Sequence, residues 1–302
     1  MRLTLLHFND LHGRLEQLPR LFYLAQRERA AAEAEARQVL LMESGDMPDR
    51  RRWECQATQG RASFSLLEAM GVQAGVPGNV ETLVWGRSGL ARLVGAVGFP
   101  VLAANLVELG PSVPGLKGST LLDLGGFPVG VVGLTQTFPA DFARAGYAAV
   151  DPRAALRREI DRLRAQGARL IVLLSHLGLT HTPASAAWEP PDALHDDAVA
   201  EAFPEIAVIV GGHTHSELHS PLQKGNTIIV QAGEHGRYLG RLDLTVDEAS
   251  GMVLDFAGWL IPCGADVPID PTIQGTLELV VEEAGRVKKN ERRPHGIPNN
   301  PH

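Results

Sequence analysis

"RLTLLHFNDLHG", residues 2–13, decides how the rest of the chain is read. A run of apolar and β-branched residues gives way at once to Asn9, Asp10 and His12, the pattern of a buried strand ending in a polar loop. The pattern recurs downstream. "QVLLMES" (38–44) leads to Asp46, "RLIVLLS" (169–175) to His176, and "IAVIVGG" (206–212) to His213 and His215. Further runs at "FPVGVVGL" (127–134), "NTIIVQAG" (226–233) and "GRLDLTV" (240–246) complete the expected strands.

Helical patterns lie between them, at 17–37, 61–71, 88–98 and 152–167. In the last, Asp151 is placed to cap, Pro152 stands at the first helical position, and Gly167 follows the end. Alternation of strand and helix makes the class α/β, with antiparallel pairing expected among the late strands. Residues 1–284 read as one domain, and 285–302, rich in charge, Pro and Asn, as a mobile C-terminal tail.

Composition narrows the function. The chain has 302 residues, 44 % of them hydrophobic, enough for a sizeable core. A net charge of −7, with no long charge run before "KKNERRP", excludes a nucleic-acid footprint and a polybasic membrane patch. Cys55 and Cys263 are the only cysteines, which excludes a disulfide framework and a thiolate cluster. The apolar start is too short for a signal segment or a membrane span, so a cytoplasmic protein is expected. Oligomeric state is left open.

The C-terminal ends of strands in an open α/β sheet gather on one rim, where ligands bind. Carboxylates and imidazoles without thiolate suit manganese, iron, zinc or cobalt, and they exceed what one tetrahedral ion needs. Two divalent ions are therefore expected, manganese first among the candidates. Two ions about 3.5–4 Å apart can polarise a phosphoryl oxygen and generate hydroxide for in-line attack.

In "LLHFNDLHG", "LLMESGD", "GNVE", "LLSHLG", "IVGGHTH" and "VQAGEHGRYLGRLDL" the chain resembles the calcineurin-like metallophosphoesterases. Within them it is similar to the branch of 5′-nucleotidases, UDP-sugar hydrolases and 2′,3′-cyclic phosphodiesterases. The resemblance implies a four-layer αββα sandwich of two mixed β-sheets flanked by helices. It also implies a ligand set: Asp10, His12 and His215 on the first metal, Asp46 as bridge, and Asn79, His176 and His213 on the second. Full-length nucleotidases of this branch carry a C-terminal domain that recognises the nucleoside; the resemblance stops short of it, so the substrate is not expected to carry over.

One stretch departs from the pattern. The family reads G-N-H-E-F-D, its His and Asp forming an acid dyad, whereas this chain reads Gly78-Asn79-Val80-Glu81-Thr82-Leu83. Asn79 is kept, and Val80 and Leu83 replace the dyad. A positioned general acid contributes about 10²–10⁴-fold, most where the leaving oxygen is strongly basic. The expected substrate is thus a small phosphodiester or activated monoester. The alternatives are a 5′-nucleotidase-type monoesterase and a catalytically weak metal-binding scaffold. His181 and His195, in the long connection "LTHTPASAAWEPPDALHDD", and His235 are candidate substitutes for the acid, against the reading of ordinary surface histidines. Asn105 reads as a turn-stabilising amide, and the arginines of 153–164 as a solvated face.

Overall fold

The computed structural model describes residues 1–109, 113–136, 138–180 and 193–291. In chain order the strands are β1 Arg2–Phe8, β2 Gln38–Glu43, β3 Ala74–Gly75, β4 Val101–Leu102, β5 Leu106–Glu108, β6 Leu116–Lys117, β7 Ser119–Asp123 and β8 Pro128–Thr135. They continue with β9 Tyr147–Ala149, β10 Leu170–His176, β11 Val208–Val210, β12 Leu222–Lys224, β13 Thr227–Val230, β14 Tyr238–Val246 and β15 Val253–Pro262. The helices are α1 Leu18–Ala34, α2 Trp53–Thr58, α3 Arg61–Ala69, α4 Gly86–Val94, α5 Pro139–Ala145, α6 Pro152–Ala165, α7 Asp196–Ala202 and α8 Pro271–Glu291.

Two mixed sheets form the centre. One runs β15-β14-β1-β2-β3-β4-β6 and the other β12-β13-β11-β10-β8-β7. Period-two alternation along β1 decides what faces what. Leu3 and Leu5 enter a core shared with Val129 and Val131 of β8 and Val172 and Leu174 of β10, so this layer lies between the sheets. Leu6 and Phe8 point the other way, into a core with Leu18, Leu21 and Leu24 of α1 and Ile273 of α8. Leu156, Ile160 and Leu163 of α6 cover the outer side of the second sheet with Leu173 of β10. The result is the expected αββα sandwich.

Strands β1 and β2 are parallel, as are β10 with β8 and with β11. Their C-terminal ends therefore gather at a common rim. The antiparallel expectation for the late strands holds for β14 on β1 and β15 on β14, whereas β13 runs parallel to β11.

Asp151 caps α6 by accepting the Arg153 N–H at 2.9 Å. The arginines of this helix are not simply solvated. Arg158 and Arg162 hold Glu159 at 3.2 and 2.9 Å, and Arg157 pairs with Glu205. Asn105 is a fastener: its amide donates to Thr135 O at 2.8 Å and accepts Thr135 N–H at 3.1 Å. Both cysteines are buried and unpaired. The boundary drawn at 284 needs correction, because α8 packs on α1, α2 and α3 and continues to Glu291. Residues 292–302 of the expected tail lie outside the described residues. Among the described residues no helix is long and apolar enough to cross a membrane.

Candidate metal centre

The loops after β1 and β2 are stitched together by main-chain bonds. Asp10 N–H donates to Gly45 O at 2.9 Å, His12 N–H to Asp46 O at 3.0 Å and Gly13 N–H to Met47 O at 2.8 Å. Ser44 joins this pair of loops to the second sheet. Its hydroxyl donates to Val210 O at 2.9 Å, and its carbonyl accepts from His176 Nδ1 at 2.6 Å. The close approach explains two glycines: a Cβ at Gly78 would meet Asp46 Oδ1 at 2.1 Å, and one at Gly212 would meet Ser44 O at 2.4 Å.

Asp10, His12, Asp46, His213 and His215 all adopt positive φ, between 48° and 75°. Such backbone is uncommon outside glycine and persists only where the surroundings enforce it. Five expected ligands share it, which marks these loops as built for the side chains they aim.

Asp10 Oδ1 lies 3.3 Å from His215 Nε2, 3.7 Å from His12 Nε2 and 3.9 Å from His176 Nε2. His176 Nε2 is 3.5 Å from Asp46 Oδ2, and the Nε2 atoms of His12 and His215 are 3.0 Å apart. Two groups result, Asp10-His12-His215 and Asp10-Asp46-His176, each with its ligand atoms within 4.8 Å of one another. Asn79 Oδ1 faces His213 Nδ1 at 3.0 Å. Asp10 is common to both groups, and Asp46 belongs to the second. Asp10 Oδ1 and His176 Nε2 are buried with no hydrogen-bond partner among the described residues. Buried polar atoms are almost always satisfied, so two that converge without partners fit a site for a cation.

Surrounding side chains fix the orientation of these ligands. Asn9 donates to Asp10 Oδ2 at 2.7 Å, and His213 N–H reaches the same oxygen at 2.8 Å, which leaves Oδ1 to face inward. The Ser44 carbonyl can only accept, so His176 Nδ1 carries hydrogen and Nε2 presents a lone pair when the ring is neutral. Glu234 does the same for His215, its Oε2 lying 2.8 Å from Nδ1. Glu81 accepts Gly78 N–H at 2.9 Å, Met47 N–H at 2.9 Å and Asp46 N–H at 3.2 Å, tying the Asn79 loop to the Asp46 loop.

Electrostatics point the same way. Burial works to raise Asp46, but the charge of His176 holds its carboxyl below the usual range. Asp10 is likewise held low against burial by His176 and His215. Burial works to lower His176, and Asp46 and Asp10 overcome it, raising the ring to about 10. The carboxylates thus draw positive charge into the space they share. Glu81 is pushed up to about 8 by burial and by Asp46, against the opposing pull of the Met47 N–H.

All seven expected ligands come together at this rim. Of the candidate acids, His235 stands beside them: its N–H donates to Asp10 O at 2.8 Å, its ring is 5.7 Å from that of His12, and its φ is +59°. His195 immediately precedes α7. His181 lies outside the described residues. Val80 donates its N–H to Asp46 Oδ1 at 2.8 Å, and Leu83 packs on a core containing Phe142 and Tyr147. Asn9, Glu81 and Glu234 escaped sequence reasoning. Their only signal was closeness in sequence: Asn9 adjoins Asp10, Glu234 adjoins His235, and Glu81 stands two positions after Asn79.

Solved structures share the fold. A sulfate thiohydrolase, SoxB, from Thermus thermophilus superposes with a TM-score of 0.76 at 23 % identity, over 94 % of this chain and 61 % of its own. A 5′-nucleotidase precursor, also from Thermus thermophilus, gives 0.71 at 22 % identity, over 95 % and 59 %. Among curated sequences, an uncharacterized metallophosphoesterase, YunD, from Bacillus subtilis is 29 % identical over 82 % of this chain and 50 % of its own length. The human 5′-nucleotidase is 28 % identical over 91 % of this chain and 52 % of its own. The chain thus spans about half the length of these curated relatives. Finally, the calcineurin-like phosphoesterase profile matches residues 3–217, the segment that carries all seven expected ligands, and the chain belongs to that family.

Proposed function

We propose that this protein hydrolyses small phosphoesters, phosphodiesters or activated monoesters above all, with two divalent ions, manganese first among them. Asp10, His12 and His215 would hold one ion and Asn79, His176 and His213 the other, with Asp46 shared. The observation that carries the reading is the pair of buried, unpartnered atoms, Asp10 Oδ1 and His176 Nε2, 3.9 Å apart among imidazoles and a second carboxylate. When bound, such ions polarise a phosphoryl oxygen and activate water.

The chain's own residues set the rest. Ser44, Glu234 and Asn9 keep ligand lone pairs turned inward, and Glu81 fixes the spacing of the Asp46 and Asn79 loops. Val80 offers no proton to a departing oxygen, which favours leaving groups that need none. His235 is the imidazole best placed to assist, through its position beside His12.

A second reading, 5′-nucleotidase-type monoester hydrolysis, is favoured by the names of the curated relatives. Turnover of bis(p-nitrophenyl) phosphate, p-nitrophenyl phosphate and AMP with Mn²⁺, beside Asp46→Asn, separates the readings. Faster AMP hydrolysis selects the nucleotidase. Activity on no phosphoester overturns both, and activity that survives Asp46→Asn overturns the metal assignment.

A further inference from the structure

The loop at 212–216 carries two of the expected ligands on left-handed backbone. His213 has φ +75° and His215 φ +54°, with Thr214 between them. Such conformations persist only where the surroundings impose them. Among the described residues the main chain of this loop bonds to itself once, Thr214 N–H donating to Gly212 O at 2.9 Å. The rest of its support comes from outside.

Gln231, directly after β13, supplies three of the outside bonds with one side chain. Its Nε2 donates to Gly212 O at 2.6 Å, and its Oε1 accepts the Thr214 hydroxyl at 3.1 Å and the Ser216 N–H. Gln231 is fully buried. Partner chemistry selects the residue type. A carbonyl can only accept and a main-chain N–H can only donate, so a single side chain that meets Gly212 O and Ser216 N–H must offer both a donor and an acceptor, as a primary amide does. The opposite side of the loop is closed. Thr214 accepts the Leu179 N–H at 3.2 Å, and a Cβ at Gly178 would meet its Cγ2 at 2.4 Å.

The residues that follow Gln231 reach the other expected ligands. Ala232 N–H donates to Asn9 Oδ1 at 2.9 Å, while Asn9 Nδ2 donates to Gly233 O and to Asp10 Oδ2, each at 2.7 Å. Segment 231–233 therefore grips the His213–His215 loop by a side chain and Asp10 by way of Asn9.

We propose that Gln231 is a positioning residue, whose amide sets the span of loop 212–216 and so presents His213 and His215 for binding divalent ions beside Asp10 and Asn79. The inference rests on the metal-dependent phosphoesterase reading, in which these imidazoles are ligands. It adds a side chain that acts through them, from behind the loop.

Gln231→Met keeps length and bulk and removes all three bonds. Calorimetric titration with Mn²⁺ and hydrogen exchange of the metal-free protein, read by mass spectrometry, give two independent measures. Mn²⁺ affinity is expected to fall about 10- to 100-fold. Exchange at 212–216 should quicken about 10-fold or more while that at 44–47 stays at the wild-type rate. Leu163→Ala, in the core on the outer side of the second sheet, lowers stability away from the rim and should leave Mn²⁺ affinity unchanged. Thr214→Val severs one of the three bonds from the loop side and serves if the methionine variant fails to fold. Its affinity should fall about 3- to 10-fold, and Thr214→Ser, which keeps the hydroxyl, should restore the wild-type value. Wild-type affinity in both Gln231→Met and Thr214→Val, a loss that Leu163→Ala reproduces, or exchange that quickens equally at 44–47, overturns the positioning role and leaves the phosphoesterase reading intact. Failure of the wild type to bind Mn²⁺ overturns both.

Discussion

Glu81 accepts the backbone N–H of Asp46 at 3.2 Å, so a residue two positions after Asn79 holds the loop that carries the central carboxylate. Removing the side chain in Glu81→Ala strands three buried amide donors. We expect a loss of roughly 2–4 kcal/mol in urea unfolding together with weaker Mn²⁺ binding. Glu81→Gln keeps an acceptor and should lose less on both measures. Wild-type stability in the alanine variant would contradict this role.

Glu234 orients His215 from outside the ligand set. Because its Oε2 faces Nδ1 at 2.8 Å, Glu234→Ala should lower Mn²⁺ affinity about 10- to 100-fold while leaving the fold's circular dichroism unchanged. Titration calorimetry reads the affinity. An unaltered value would show that the backbone alone sets the imidazole.

Metal and stability should be linked. A ligand that binds only the folded state stabilises it, by about 2.7 kcal/mol at a hundredfold excess over Kd. Mn²⁺ should therefore raise the melting temperature of the wild type, chelator should reverse the rise, and Asp46→Asn should show little of it. An equal rise in both proteins would place the ion elsewhere.

Asp196, buried at the start of α7, accepts the Ser175 hydroxyl one residue before His176. Burial raises its carboxyl from 3.8 to about 7. The unfolded chain releases this proton near the lower value and the folded chain near the higher. Folding takes up a proton between them, so this group's contribution to stability falls as pH rises through that window and is level above it. At about 1.4 kcal/mol per unit, the fall amounts to a few kcal/mol. Asp196→Asn lacks it, so the variant should gain on the wild type in urea unfolding between about pH 4 and 7. Parallel pH profiles would refute the assignment.

Val80→His returns an imidazole to the position beside Asp46. Without a carboxylate at 83 to orient it, the gain on strongly basic leaving groups should stay at or below about 10²-fold, with p-nitrophenyl esters little changed. A uniform change across leaving groups would show that the new ring perturbs geometry rather than supplying a proton.

Much of this architecture was legible in order of residues alone. Strands β1, β2, β8, β10 and β14 fall within about two residues of their expected bounds because each is a continuous apolar run closed by a turn. β15 was hidden by its exposed face, which shows Leu254 and Trp259 to solvent, and α8 by its β-branched residues and two internal glycines. Ligands at strand ends announced themselves through residue type. Asn79 follows a strand of only two residues and was found by motif alone. The partners of Asn9 and Glu81 include main-chain groups from distant loops, which no local pattern encodes.

Ser44 gives the last consequence. Its hydroxyl and carbonyl are bolts between the two sheets, one to Val210 and one to His176. The sheets cannot shear past each other without parting these bonds, and parting them releases the ring of His176. Local opening at the rim and separation of the two layers are therefore one event, and the amides of the stitched loops should exchange with solvent only as slowly as the whole sandwich opens.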